Sequence, residues 1–251
     1  MLGNIWLIVN KEVREVVLRA GSSRATILNL ALILLVFGVV LPLQAGAAWV
    51  DSWWLLFSWT WLPLFLVSAL VADSFAGERE RHTLETLLTT ALSDRTILFG
   101  KIAAAVSYGY GMLLSVMLLS LLTVNVVWGV REGRLLMFSA SVTVGVLVIG
   151  LLVTLLIAAI GVMISLKAKT VRQAGQALSL GILAILWIPG LIIALGARAL
   201  SEVQQQALWE WASMLDGRAV AALSALVLLV LDAVFVGIAM RRFKRSRLSL
   251  D

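Results

Sequence analysis

Few side chains in this 251-residue chain could carry acid–base, nucleophilic or metal chemistry. There is no cysteine, and the one histidine is His82. Disulfides, thiolate metal sites, cysteine nucleophiles and any scheme needing two imidazoles are therefore excluded. No Gly-x-x-x-x-Gly-Lys-[Ser/Thr] loop occurs, since Gly100-Lys101 is followed by Ile102 and lacks the earlier glycine. ATP hydrolysis on a phosphate-cradling loop is excluded as well. The acids are more telling by position than by number. Five of the fourteen lie between Asp73 and Asp94, and Asp232 stands alone in an otherwise charge-free run. What remains is ion pairing and partner recognition in one short segment, plus a single acid in apolar surroundings.

The elements that must position these residues follow from composition. The chain is 61% hydrophobic and 14% charged, with a net charge of +6. A soluble domain has roughly 45–50% apolar and about 25% charged residues. Too few charges are present to cover so much apolar surface in water, and disorder needs the opposite composition. Charge-free runs cover 25–50, 52–72, 102–130, 135–166 and 173–197, and also 219–240 with Asp232 as the exception. A bilayer core takes about 20 helical residues, so each run is long enough to cross one. The prediction is an all-α integral membrane protein, a single domain over 1–251 with six transmembrane helices. The spans fall at about 25–47, 53–72, 100–127, 136–166, 173–197 and 219–240.

Sixteen of the twenty Lys and Arg fall on one side of such an arrangement. The positive-inside rule makes that side cytoplasmic, with both termini on it. The expected location is the plasma (inner) membrane, and the basic balance needs no nucleic acid to explain it. Within 1–24, Ile5, Trp6, Val9, Val13, Val16 and Val17 recur at near-helical spacing between Lys11, Glu12, Arg14, Glu15 and Arg19. That stripe predicts an amphipathic helix lying in the interface, not a signal peptide. Trp49, Trp53, Trp54, Trp59 and Trp61 surround the first outer turn as aromatic anchors. A second short amphipathic helix is predicted from Leu200, Val203, Ala207, Trp211 and Met214. Pro189-Gly190, just after Trp187, predicts a kink or break in the fifth span.

The charged segment between the second and third spans runs from Asp73 to Ser93. From Glu78 onward it has helical periodicity. Leu84, Leu87, Leu88 and Ala91 lie at i, i+3, i+4 and i+7, and Glu78, His82 and Glu85 share another face. A two-faced helix over 78–91 is predicted, with Ser93 or Asp94 capping the next span. Such a helix suits insertion of an apolar ridge into a partner's groove, and a solvated loop helix would show the same periodicity.

The run Phe75-Ala76-Gly77-Glu78-Arg79-Glu80-Arg81-His82-Thr83-Leu84-Glu85-Thr86-Leu87-Leu88, followed by Gly100-Lys101, resembles the permease subunits of ABC-2 type transporters. The layout of an interfacial helix and six spans resembles them too. Two positions depart from the family pattern: His82 stands where Gly is common, and Ala91 where Pro is frequent. The resemblance implies the membrane half of an ATP-driven exporter that is not itself an enzyme. It implies that Glu78, Arg79, Glu80, Arg81, His82, Thr83, Leu84, Glu85, Leu87 and Leu88 form a coupling helix docking on a separate ATP-binding subunit. ATP and Mg would then sit in that partner, with no cofactor or metal on this chain. A second permease chain, identical or related, is also implied.

Asp232 lies nine residues before Arg241, about 13 Å along the helix and near mid-membrane. A buried acid there faces a partner or a cavity. The candidate translocation pathway is therefore Asp232 with Asn29, Asn125, Trp187 and Pro189. The competing reading is an acid hydrogen-bonded to Asn29 or Asn125. Two other functions fit the same composition: a secondary transporter coupled to ions through Asp232, and a non-transport assembly factor.

Overall fold

The computed structural model describes residues 2–22, 24–90, 92–198, 200–214 and 216–243. The side chains at 2, 16–22, 25–26, 53–61, 87–88, 189, 193, 197, 208–209 and 211–214 lie outside that description. The described residues are helical almost throughout and contain no strand. In order they form α1 (Leu2–Ser22), α2 (Arg24–Leu35), α3 (Leu41–Ala45), α4 (Trp53–Glu80), α5 (Leu84–Thr89) and α6 (Asp94–Val124). Then follow α7 (Val130–Glu132), α8 (Ala140–Lys167), α9 (Val171–Arg198), α10 (Glu202–Met214) and α11 (Gly217–Arg242).

Among the described residues five stretches are long and apolar enough to cross a membrane: Ile27–Val50, Asp94–Glu132, Ala140–Lys167, Val171–Gly196 and Gly217–Arg242. The expected second span falls in α4, a 28-residue helix whose first nine side chains lie outside the description. Large apolar side chains remain exposed along these helices, among them Leu122, Leu180, Trp187 and Leu223 at more than 60%. No water-facing helix could carry that load, so this is an all-α membrane protein.

α4 and α8 pack along each other at the centre, with α6 against both. α9 leans on α4, α11 on α8, and α1 on the start of α6. Two large apolar cores result, beside a smaller cluster of Ala72, Ala76, Ala168, Ala174 and Leu178. One joins Val71 and Phe75 of α4, Ile97 and Leu98 of α6, Val162 of α8 and Ile8 of α1. The other joins Leu62, Leu66, Leu113, Val116 and Val146 with Trp49 at the opposite end. Small residues permit the close approaches, as in membrane helix pairs generally. A Cβ at Gly161 would come within 2.6 Å of Val71, and one at Gly100 within 2.7 Å of Ile8.

The first span, Ile27–Val50, is one helical stretch of mixed pitch: α2 passes through a π turn at Val36–Val40, α3 and a 3-10 turn at Gly46–Val50. Gly38 within that turn lies against Leu119, and Gly46 has φ 65. α9 continues as helix through 187–190, so of the expected kink or break in the fifth span the break is absent. Membrane helices accommodate proline when the freed carbonyl finds other partners. The helix expected over 78–91 does not form as one piece. Glu78–Glu80 end α4, a turn follows at 81–83, and only Leu84–Thr89 is a separate helix.

Candidate functional site

The end of α4 is built as an attachment point. Phe75, Ala76 and Gly77 are buried there. The Ser165 hydroxyl of α8 accepts from the Phe75 and Ala76 amides at 3.0 and 2.9 Å and donates to the Ala72 carbonyl at 3.0 Å. Arg79 donates to the carbonyls of Leu166, at 3.1 Å, and Ala168, both at the end of α8. The next residue, Glu80, accepts from the Val171 amide that opens α9, at 2.9 Å. A cation meets a helix C-terminus and an anion meets a helix N-terminus, the favourable sense of both dipoles. Arg79 and Glu80 together therefore hold the α8–α9 corner.

Beneath them lies a charged knot that joins three elements. Lys101 of α6 is 3% exposed. Its Nζ lies 2.8 Å from Glu12 Oε1 of α1, 3.5 Å from Glu78 Oε1 of α4 and 2.7 Å from the Ser74 carbonyl. It also sits 5.1 Å from the centre of the Phe75 ring, a cation–π distance. Lys11 adds a second cation 3.7 Å from Glu78. Burial alone would raise the Glu78 carboxyl. The Thr83 hydroxyl, Lys101, Lys11 and Arg81 outweigh burial and hold it below the usual glutamate range. Burial would likewise lower Lys11, but Glu78, Glu12 and Glu15 keep its ammonium above the usual lysine value.

The turn after α4 has its own logic. The Thr83 amide donates to the Glu78 carbonyl at 2.9 Å, and the His82 amide to the Arg79 carbonyl at 3.1 Å. These are the two bonds of a Schellman cap, which puts one residue in the left-handed region. That residue is His82, with φ 57, alone among the described non-glycine residues in having a positive φ. Glycine fits such a position without a Cβ penalty. The Gly that the sequence resemblance sets at this position is the residue such a cap favours. The Thr83 hydroxyl also donates to the Glu78 carboxylate, tying the turn to the knot.

The expected coupling residues thus divide. Glu78 is buried and spent on Lys101, Lys11 and Thr83, while Arg79 is spent on α8. Leu84, expected to face a partner, is 7% exposed and packs into this chain's own core. Leu87 and Leu88 lie on α5, but their side chains are outside those described, and Ala91 is outside altogether. The exposed set is Glu80, Arg81, His82, Thr83, Glu85 and Thr86, with Arg81 paired to Asp73 at 3.0 Å. Glu12, Ser74 and Ser165 were not singled out by sequence, and Lys101 entered only as part of a motif. The one available signal was a lysine next to the apolar run starting at Ile102. Ser93, as expected, caps α6 by accepting from the Thr96 amide.

The intramembrane candidates do not converge. Asn125 donates to the carbonyls of Leu121 and Leu136 and accepts from the Leu136 amide at 2.8 Å. It fastens the non-helical stretch 135–139 and leaves nothing for Asp232. Asn29 and Trp187 are exposed, and Pro189 is in α9 with its side chain outside the description. Asp232 is 3% exposed, and neither carboxyl oxygen has a hydrogen-bond partner among the described residues.

A bundle of long apolar helices with a charged attachment point at one end defines a multi-pass membrane protein. The family model for ABC-2 type transporters matches residues 3–201, and the chain belongs to that family. It is an ABC-2 type permease. No curated protein matches the chain. The matched segment contains the knot and the α4–α5 turn and stops before α11 and Asp232.

Proposed function

We propose that this chain is the permease subunit of an ATP-driven exporter in the plasma membrane, spanning it six times with both ends in the cytoplasm. A separate ATP-binding subunit, which carries ATP and Mg, docks on the turn 81–83 and on α5. A second permease chain, identical or related, completes the pathway. The supporting observation is the knot of Lys101, Glu78 and Glu12. It fixes the exposed turn simultaneously to α1, α4 and α6, so a push on the turn moves those helices together. Polar docking residues surround a rigid base, as a register-setting contact requires.

In mechanism, ATP-driven closure of the partner displaces α5 and the turn. Arg79 and Glu80 transmit the displacement to the α8–α9 corner, and the knot transmits it to α1 and α6. The bundle then exchanges inward- and outward-facing forms. Asp232, on α11, is the candidate contact for cargo in the pathway. The test is capture of the ATPase subunit by Glu85→Arg/Thr86→Arg, a change confined to exposed side chains. The expected result is lost co-purification at an unchanged melting temperature. Full capture by that variant refutes docking at this site.

A further inference from the structure

α8 and α11 enclose a cleft of about 410 Å³ near their first turns. Its lining advances along both helices together, from Ala140 through Gly145 to Ile149 beside Arg218 through Ala222 to Ala225. The two helices therefore run parallel there. Six of the ten lining residues are Ala, Gly or Ser. Such residues ordinarily let helices close on each other, yet here they leave a gap within the size range of ligand clefts. Val144 and Val148, at 60% and 43% exposed, form the rim, so the gap opens sideways. Both helices are long and apolar enough to cross a membrane, and a sideways opening there faces lipid.

One charge lines the cleft, Arg218. It sits in the first turn of α11, where the helix dipole disfavours a cation. The nearby acid, Asp216, accepts from the Arg218 amide at 3.1 Å as the helix cap. Two other arginines are already engaged: Arg131 lies over Trp128 and Arg134 pairs with Glu132. The Arg218 guanidinium has no ion-pair partner among the described residues. Seven residues past Ala225, on the same face of α11, Asp232 is buried, so the seam is closed at that depth.

We propose that this cleft holds an acyl chain of an anionic phospholipid whose phosphate pairs with Arg218. The apolar walls take the chain. The guanidinium takes the phosphate with paired, charge-assisted hydrogen bonds. Neither half works alone: an acyl chain gives no headgroup preference, and an exposed arginine gives no retention through washing.

The test uses the full-length chain reconstituted with equal phosphatidylglycerol and phosphatidylcholine, then washed in detergent, with retained lipid measured by native mass spectrometry. The wild type should keep phosphatidylglycerol after phosphatidylcholine has gone. Arg218→Gln should reduce that preference about fivefold, the scale of one surface cation acting on an anionic lipid. Ala222→Leu, which fills the cleft, should lose retained lipid of either kind, and Gly145→Leu serves the same purpose from α8. Melting temperatures confirm that the variants are folded. Equal headgroup preference in Arg218→Gln and wild type overturns the proposal. So does undiminished lipid in both filled variants. Loss of self-association without loss of lipid would assign the cleft to a second copy of the chain and overturn it too.

Discussion

Among the described residues, His82 occupies the one left-handed position that an L side chain holds. Holding a non-glycine residue in that region costs about 1–2 kcal/mol, and histidine tolerates it better than most. His82→Gly should therefore raise stability by up to about 1 kcal/mol, since glycine's larger unfolded-state entropy offsets part of the relief. His82→Val should melt lower, because a β-branched residue is a true outlier at positive φ. Thermal melting in detergent checks both. The knot beside it makes a second prediction. Lys101→Met leaves Glu12 and Glu78 facing each other without their shared cation, a loss of about 3–5 kcal/mol for a broken buried pair. Glu78→Gln on that background should recover part of it. Glu78 titrates lower in the folded chain than in the unfolded one. Its stabilisation is therefore present above the ordinary glutamate value of about 4.3 and is lost as pH falls through the folded value. The melting temperature should drop on the acid side in wild type and drop less in Glu78→Gln. The Lys11 shift has the opposite sense, so its contribution holds to the ordinary lysine value near 10.4 and fades only above it.

At the scale of elements, α1 rests on α6 through Ile8 against Gly100. Gly100→Val forces the two apart and should cost about 1–3 kcal/mol as an overpacked contact, and Ile8→Ala in the same chain should restore part of that. Failure of Ile8→Ala to compensate would show that α1 is held by its charges alone. The amphipathic stripe in residues 5–17 made this helix legible in sequence, but not its resting place. Ile8 and Val9 face inward while Trp6 and Leu7 are exposed, a choice that depends on where Gly100 lies. α10 was legible for the same reason. The 78–91 segment was misread because Glu78, His82 and Glu85 keep helical spacing across the turn, while Leu84, Leu87 and Leu88 continue that spacing beyond it. Periodicity cannot register a single positive φ that stops one helix and starts another. Leu84 then turns inward, since the cap aims the chain back toward Phe75.

For the whole molecule, the sequence carried the all-α membrane class and the five membrane-length stretches found among the described residues, because charge-free runs of twenty or more residues have few other uses. It did not carry the pairings. Which helix Arg79 reaches, and which carbonyls Asn125 satisfies, are set by tertiary approach. Asp232 remains the residue that the fold does not use. Its two carboxyl oxygens are buried without hydrogen-bond partners among the described residues, and an unsatisfied buried polar group costs about 1–3 kcal/mol. A residue kept only for structure would be improved by removal, with no loss elsewhere. If Asp232 contacts cargo, stability and transport must instead separate. Asp232→Leu should melt higher than wild type, because the unsatisfied oxygens are gone. Asp232→Asn should assemble with its partners as wild type does. Both should transport poorly, with ATP hydrolysis by the complex no longer responding to cargo. Transport and melting are measured on the same reconstituted complex. Normal transport by a stabilised Asp232→Leu chain would remove Asp232 from the pathway and leave the family assignment untouched.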